Sequence, residues 1–496
     1  MRCRAIFHLP RHRVWIAAII LTSIVLVLHT AYRLTDAFLF IAYPFEIDYG
    51  EGIVWQQAEL MFTSSMYSAH EDLPFIVFHY PPAYHMAVRL IAPLFTTMLE
   101  AGRALSLVST IVLVGLIAWL VRLASRGDVS TRWAVGLACG LAFFCLPAVR
   151  SWSDLMRVDM LAFALAFAGL AVASTGRPSV IRTASALLVC TAAVFTKQTC
   201  FAAGVAIAVQ ALWTRPRHGL IAVSLAGTAG LSAAALLQAV THGGFFQNII
   251  GYNLNPWSLA QFWTIAPYTA RDSFIIAGTV VCALSLWVLS KGKPRARLEP
   301  DTSFRTQLHL LHWVICFLML WSIGHDGSSV NYTIEWLGAG LVLMGITGCA
   351  LMARGRPVQA TLVLGTIAFG TLLQPLRVYP EFRAAQEVDR PAVERVVRLI
   401  TTAAKPVSSE NMTLIMQAGQ RVWYEPAIVT ELVKNDQWDE RPLVAMIEAR
   451  GFAFMLTKDD HYGPHSIRTP AVDAAMRRAY PRVERVAQRL WINLPE

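Results

Sequence analysis

The segment Phe45-Glu46-Ile47-Asp48-Tyr49-Gly50-Glu51-Gly52 sets three carboxylates beside two glycines. A carboxylate held against a hydroxyl can take its proton and so make it a nucleophile. The plain alternative is solvated loop charge, the usual fate of a surface acid. Further on, Tyr67 and then His79-Tyr80-Pro81-Pro82-Ala83-Tyr84-His85, with Arg89 one turn later, form an aromatic and cationic cluster. Such a cluster can hold a phosphate head group, and it also suits the anchoring of an interfacial helix.

A second acidic stretch, Ser151-Trp152-Ser153-Asp154-Leu155-Met156-Arg157-Val158-Asp159, opens the apolar run Met160 to Ala173. An ionisable group at the edge of hydrocarbon is costly and by default functional, so Asp159 and Asp154 are candidates for positioning substrate. A simple Arg157 to Asp159 salt bridge is the competing reading. Lys197, in Phe195-Thr196-Lys197-Gln198-Thr199, lies between two apolar runs and must pair with or reach an anion. The stretch Gly324 to Glu335 contains Asn331 and Glu335, which suit substrate positioning and helix packing equally. Asp48, Asp154 and Asp159 offer oxygen ligands of the kind that magnesium or manganese takes.

The elements that must position these residues are membrane helices. Of the 496 residues 55% are hydrophobic and only 15% charged, a balance foreign to a water-soluble chain of this length. Apolar runs of spanning length occur from Val14 to Tyr32 and repeatedly between Ala104 and Pro375, and none follows. Arg2, Arg4, Arg11 and Arg13 precede the first run, which is long and lacks a small-residue cleavage site, so it is expected to remain as a first helix.

Basic residues at 122 and 126, 177 and 182, 215 and 217, from Lys291 to Arg305, and at 354 and 356 all fall between later runs and are expected on the cytoplasmic side. The segment Pro81 to Phe95 is too short and too charged to span, and should lie in the outer interface. Parity then predicts about eleven helices, a cytoplasmic amino terminus, an external first loop from 35 to 103 and an external tail. Thr183 to Trp213 should form a short hairpin with Lys197 at its outer tip. Asp48, Arg157, Asp159 and Lys197 thereby share one face.

The chain divides into a membrane part, 1 to 376, and a tail, 377 to 496. In the tail, Pro391 to Thr402 and Arg441 to Ala449 read as helices, and Met412 to Met416 and Phe452 to Thr457 as buried strands, which predicts a small α/β domain. The tail carries 17 basic and 16 acidic residues, so nearly all of the net charge of +10 belongs to the membrane part. Cytoplasmic loops facing an anionic leaflet account for that excess without nucleic acid. The eight cysteines show neither a disulfide framework nor a zinc-type spacing along the chain.

In their order along the chain, Asp48 and Glu51 after the first helix, His79-Tyr80-Pro81-Pro82 closing the loop and Arg157-x-Asp159 opening a later helix resemble the GT-C superfamily of membrane glycosyltransferases. The resemblance is to the protein O-mannosyltransferase and aminoarabinose-transferase type. It implies a mainly α, polytopic protein of the bacterial inner membrane whose active site faces the periplasm.

It also implies that Asp48 acts as base on the hydroxyl of a glycan, lipid or protein acceptor, and that the sugar comes, with inversion, from a polyprenyl-phosphate donor. Arg89, Arg157, Lys197, His79 and His85 would receive the lipid phosphate. Tyr80, Asp154, Asp159, Asn331 and Glu335 would position substrate. Many relatives have adjacent Asp-Glu where this chain has Asp48-Tyr49-Gly50-Glu51, which suggests that Glu51 orients substrate instead of sharing the base role. A multi-pass transporter would instead need broken polar helices at mid-bilayer and matching halves, and a non-catalytic envelope protein would leave these outer residues as solvated helix ends.

Overall fold

In the computed structural model the described residues are 11–68, 71–291, 300–374, 380–460, 462–463 and 466–496. The basic residues at 2 and 4, most of the run from 291 to 305, and the boundary expected at 376 lie outside them.

Among the described residues six helices are long and apolar enough to cross a membrane: Val14–Ile41, Met98–Ala124, Pro216–Val240, Leu259–Val288, Ser303–Gly324 and Val330–Ala353. Five shorter apolar helices accompany them, Val129–Cys145, Asp159–Ser174, Val180–Val194, Ala202–Thr214 and Pro357–Leu372. Together they match the expected eleven. Val330–Ala353 runs through the middle of the bundle and is buried on nearly every side, whereas Pro216–Val240 leaves Leu220, Leu231 and Leu236 exposed. An apolar exterior of this kind is what lipid requires, and the chain is a multi-pass membrane protein.

The first helix continues to Ile41, beyond the expected loop start at 35, and the next spanning helix begins at Met98. Between them lie the helix Gly50–Leu60 and the helix Ala83–Ile91. Ala83–Ile91 buries Tyr84, His85 and Val88 and exposes Met86 and Leu90, which gives it the amphipathic character of an interfacial segment. The Tyr84 hydroxyl donates to the Gly102 carbonyl at 2.8 Å and fastens it to the following spanning helix. Val180–Val194 and Ala202–Thr214 form the expected short hairpin, with Lys197 in its connection.

The tail begins with the helix Pro380–Thr402 and contains four strands, β1 (Ser408–Ser409), β2 (Met455–Thr457), β3 (Arg482–Ala487) and β4 (Leu490–Leu494), ordered β1-β2-β4-β3. Only β1 and β2 run parallel. One expected strand is overturned, because Met412–Gln417 is a helix that turns Met412, Ile415 and Met416 onto the first loop. A short apolar run fits either element until its partner is known.

The tail does not stand apart from the rest. Phe75, Val77 and Tyr252 are buried with Tyr424, Trp438 and Phe452, and Phe45 with Val396, Leu414 and Ile492. The Phe75 N–H donates to the Trp423 carbonyl at 2.8 Å, so the first loop and the tail share cores.

Candidate active site

Glu51 and Arg103 organise the acidic turn. The Arg103 guanidinium meets both Glu51 oxygens at 2.7 Å and also donates to the carbonyls of Phe40, Tyr43 and Phe45. Glu51 Oε2 accepts from the Ile47 and Asp48 N–H groups at 2.8 and 3.3 Å, and Oε1 accepts from Met156 N–H at 3.0 Å. Burial would raise the Glu51 carboxyl, but Arg103 and these N–H groups hold it below its ordinary value. With every acceptor site engaged and 0% exposure, Glu51 cannot touch substrate. The expected role in orienting substrate gives way to one of fastening the end of the first helix, the acidic turn and the segment before Arg157.

Asp48, three residues earlier, is in a different position. Its carboxylate stays 33% exposed and lies 3.2 Å from Arg157, which is itself 15% exposed and stands over the Trp152 ring. Gly50 makes the approach of Arg157 possible. A Cβ there would fall 1.2 Å from Arg157 Nη1, and the Gly50 N–H donates to Asp48 Oδ1 at 3.0 Å.

Asp159 begins its helix with the side chain turned into the bundle, so the simple Arg157 to Asp159 salt bridge does not form. Lys197 Nζ and Asn331 Nδ2 each lie 2.6 Å from Asp159 Oδ1, and Trp152 Nε1–H donates to Oδ2 at 3.0 Å. The Lys197 ammonium also faces the Tyr332 ring at 4.5 Å. Tyr80 links the two pairs, its hydroxyl having Arg157, Asp159, Lys197 and Tyr332 as electrostatic neighbours, and burial raises it above its ordinary value.

The structure brings together Asp48, Arg157, Asp159, Lys197, Tyr80 and Asn331, and takes several other expected residues elsewhere. Arg89 donates to the carbonyls of Ala58 and Glu59 and so caps Gly50–Leu60 instead of facing the cluster. His85 is buried with Nε2 at 2.9 Å from Gln57 Oε1 and Nδ1 near the Pro81 carbonyl. Burial lowers both His79 and His85 to about 4, which leaves both rings uncharged at neutral pH and poorly suited to a phosphate. Glu335, in the first turn of its helix, faces His312 at 3.0 Å but stays beside the cluster, lining a small pocket with Lys197 and Tyr332.

Two cations that sequence reasoning passed over stand near Asp48. An open cleft of about 560 Å³ is lined by Arg33, Phe40, Ile47, Asp48, Arg150 and Asp154, among others. Arg33 Nη2 donates to the Arg150 carbonyl at 2.9 Å and lies 4.0 Å from Asp154. The available signal was an arginine within the first spanning helix, where charge is expensive. On its other side Asp48 lines a cleft of about 1060 Å³ under the tail, together with Tyr43, Glu46, Asn411, Lys458 and Arg489. Lys458 of the tail pairs with Glu46 at 2.6 Å and faces the Tyr49 ring at 4.4 Å. Tyr49 also hydrogen-bonds Glu425, which caps the helix Pro426–Lys434.

The magnesium or manganese set suggested by Asp48, Asp154 and Asp159 is not assembled. Each carboxylate has its own cationic neighbour, and the three are not gathered about one point. Among the described residues that donor set gives no divalent-ion cage.

Among the described residues, eleven apolar helices, an amphipathic first loop and a polar cluster at one end make up a fold that solved membrane proteins share. One solved protein it is similar to is ArnT from Cupriavidus metallidurans. In the apo state ArnT superposes with a TM-score of 0.59 at 14% identity, covering 94% of this chain and 97% of ArnT. Its structure bound to undecaprenyl phosphate gives a TM-score of 0.56 at the same identity and coverage. No protein-family model and no curated protein matches the chain.

Proposed function

We propose that the protein is a membrane glycosyltransferase that moves a sugar from a polyprenyl-phosphate carrier to a hydroxyl of an envelope acceptor at the periplasmic face. The observation that carries this reading is the position of Asp48 between two clefts, one bordered by Arg33 and Arg150 near the helix ends, the other roofed by the tail. The ArnT fold, with undecaprenyl phosphate bound in one of its structures, supports a lipid-linked donor. The basic residues 122, 126, 177, 215 and 354 all fall at connections on the opposite end, which supports a cytoplasmic amino terminus and an external tail.

In this reading the acceptor oxygen attacks the anomeric carbon while Asp48 takes its proton, and the bond from that carbon to the phosphate oxygen breaks. The phosphate leaves as an anion on the carrier lipid. Single displacement inverts the anomeric carbon. Arg157, Arg33, Arg150 and Lys197 take up the charge that grows on the phosphate, and the Tyr80 hydroxyl is placed to donate to it. Asp159 and Asn331 hold Lys197 in place, and the acceptor enters from the cleft under the tail. Polar groups meeting at one end, not at mid-bilayer, favour this over a transporter.

Comparing envelope glycans and lipids in cells with and without the protein tests the reading. The expected result is one modification lost and its polyprenyl-phosphate sugar accumulated. Unchanged glycans, lipids and proteins alongside an unchanged polyprenyl-phosphate pool would overturn it.

A further inference from the structure

Four side chains from three separate segments meet behind Asp159: Cys200 from the hairpin turn, His312 and Cys316 from the helix Pro300–Met319, and Glu335 from the start of Ile334–Ala353. All four are buried. His312 and Cys316 are four residues apart, which puts them on one helix face. His312 Nε2 lies 3.0 Å from Glu335 Oε1 and 3.3 Å from Cys316 Sγ, and Cys200 Sγ lies 3.8 Å from Glu335 Oε2.

A tetrahedral zinc ion, with bonds of about 2.0 to 2.3 Å, keeps its ligand atoms roughly 3.3 to 3.8 Å apart. The ligand atoms of His312, Cys316 and Glu335 all lie within 4.8 Å of one another, and Cys200, at 3.8 Å from Glu335, completes the set by a side-chain movement. Electrostatics points the same way. A carboxylate inside a helical bundle needs a compensating charge, and among the described residues no lysine or arginine forms an ion pair with Glu335.

We propose that Cys200, His312, Cys316 and Glu335 form a structural zinc site. Two thiolates, one imidazole and one carboxylate are a borderline-soft set of four that suits zinc and not magnesium or manganese. Binding displaces the two thiol protons to water, so it strengthens as pH rises. The site lies next to the reaction centre in the chain as well as in space. Cys200 follows Lys197 by three residues, and Glu335 follows Asn331 by four, and Lys197 and Asn331 are the side chains that hold Asp159. The zinc pins both from behind. A spacing rule cannot find it because the ligands lie far apart in the chain.

Full-length protein purified in detergent and analysed for metal should contain one zinc per chain. Exchange with cobalt should give the near-ultraviolet thiolate-to-cobalt absorption of a tetrahedral site. Cys200→Ser and Cys316→Ser should each weaken zinc binding at least tenfold, on the order seen when a ligand's support is removed, and each should lose about half of that absorption because one of two thiolates is gone. Wild-type protein that is monodisperse yet holds no zinc, and shows no such absorption when cobalt is added, would overturn the proposal and leave a buried His312 to Glu335 hydrogen bond. Zinc retained undiminished in both variants would overturn it equally. The wild-type cobalt spectrum decides the matter even where a variant fails to fold. None of these readouts depends on transferase activity.

Discussion

Asp48 and Glu51 are three residues apart, each beside an arginine, and their surroundings give them opposite tasks. Glu51 and Arg103 are sealed at 0% exposure with every acceptor used, whereas Asp48 and Arg157 remain 33% and 15% exposed and Asp48 borders both clefts. A buried pair whose lone pairs are all engaged fixes geometry, and a half-open pair can exchange a proton and meet a substrate. The acidic residues alone do not distinguish the two. What distinguishes them is Arg103 inside a spanning helix, which closes over one carboxylate and thereby aims the other.

The largest effect should come from breaking the sealed pair. Glu51→Gln leaves Arg103 as an uncompensated buried charge and should destabilise the protein by about 3 to 5 kcal/mol. Thermal unfolding of the purified variant measures it, and a melting temperature unchanged from wild type would show that the pair does not hold the turn. Next, Gly50→Ala should displace Arg157 from Asp48 while leaving the fold intact. The expected consequence is a fall in turnover of about 10²-fold, the scale of an ångström's misplacement, with little change in melting temperature.

A smaller effect separates the turn from its roof. Burial raises the Glu425 carboxyl from its ordinary 4.5 to about 7, against the pull of Tyr49 and the helix N–H groups. Because the folded value is raised, the folded protein keeps a proton that the unfolded chain has already lost between these limits. The stability this contributes is complete below about pH 4.5 and disappears as pH rises to about 7. Melting temperature should therefore fall by a few degrees across that window, and Glu425→Gln, which mimics the protonated group, should flatten the fall. An identical slope in wild type and variant would remove Glu425 from the account.

Much of this arrangement was legible in the sequence. Basic loops and helix parity gathered Asp48, Arg157, Asp159 and Lys197 at one end, and a short, charged apolar run marked Pro81 to Phe95 as interfacial. The pairing was not legible. Arg157 and Asp159 are near neighbours in sequence, but Asp159 opens a helix that turns it towards Lys197 and Asn331, and the missing side chain at Gly50 lets Arg157 reach Asp48. Arg103 looked like the end of a loop, and Arg33 lay just beyond the apolar run that defined the first helix. Met412–Gln417 became a helix because the first loop supplies the apolar surface it packs on. Contacts of this kind join distant segments, and no local spacing records them.

The most direct test of Asp48 as the base is single-turnover transfer from an undecaprenyl-phosphate-linked sugar by full-length protein carrying Asp48→Asn. The amide keeps the shape of the turn and cannot take the proton. Transfer should slow by about 10² to 10⁴-fold, with melting temperature and binding of the carrier lipid as in wild type. Transfer at the wild-type rate would contradict the assignment.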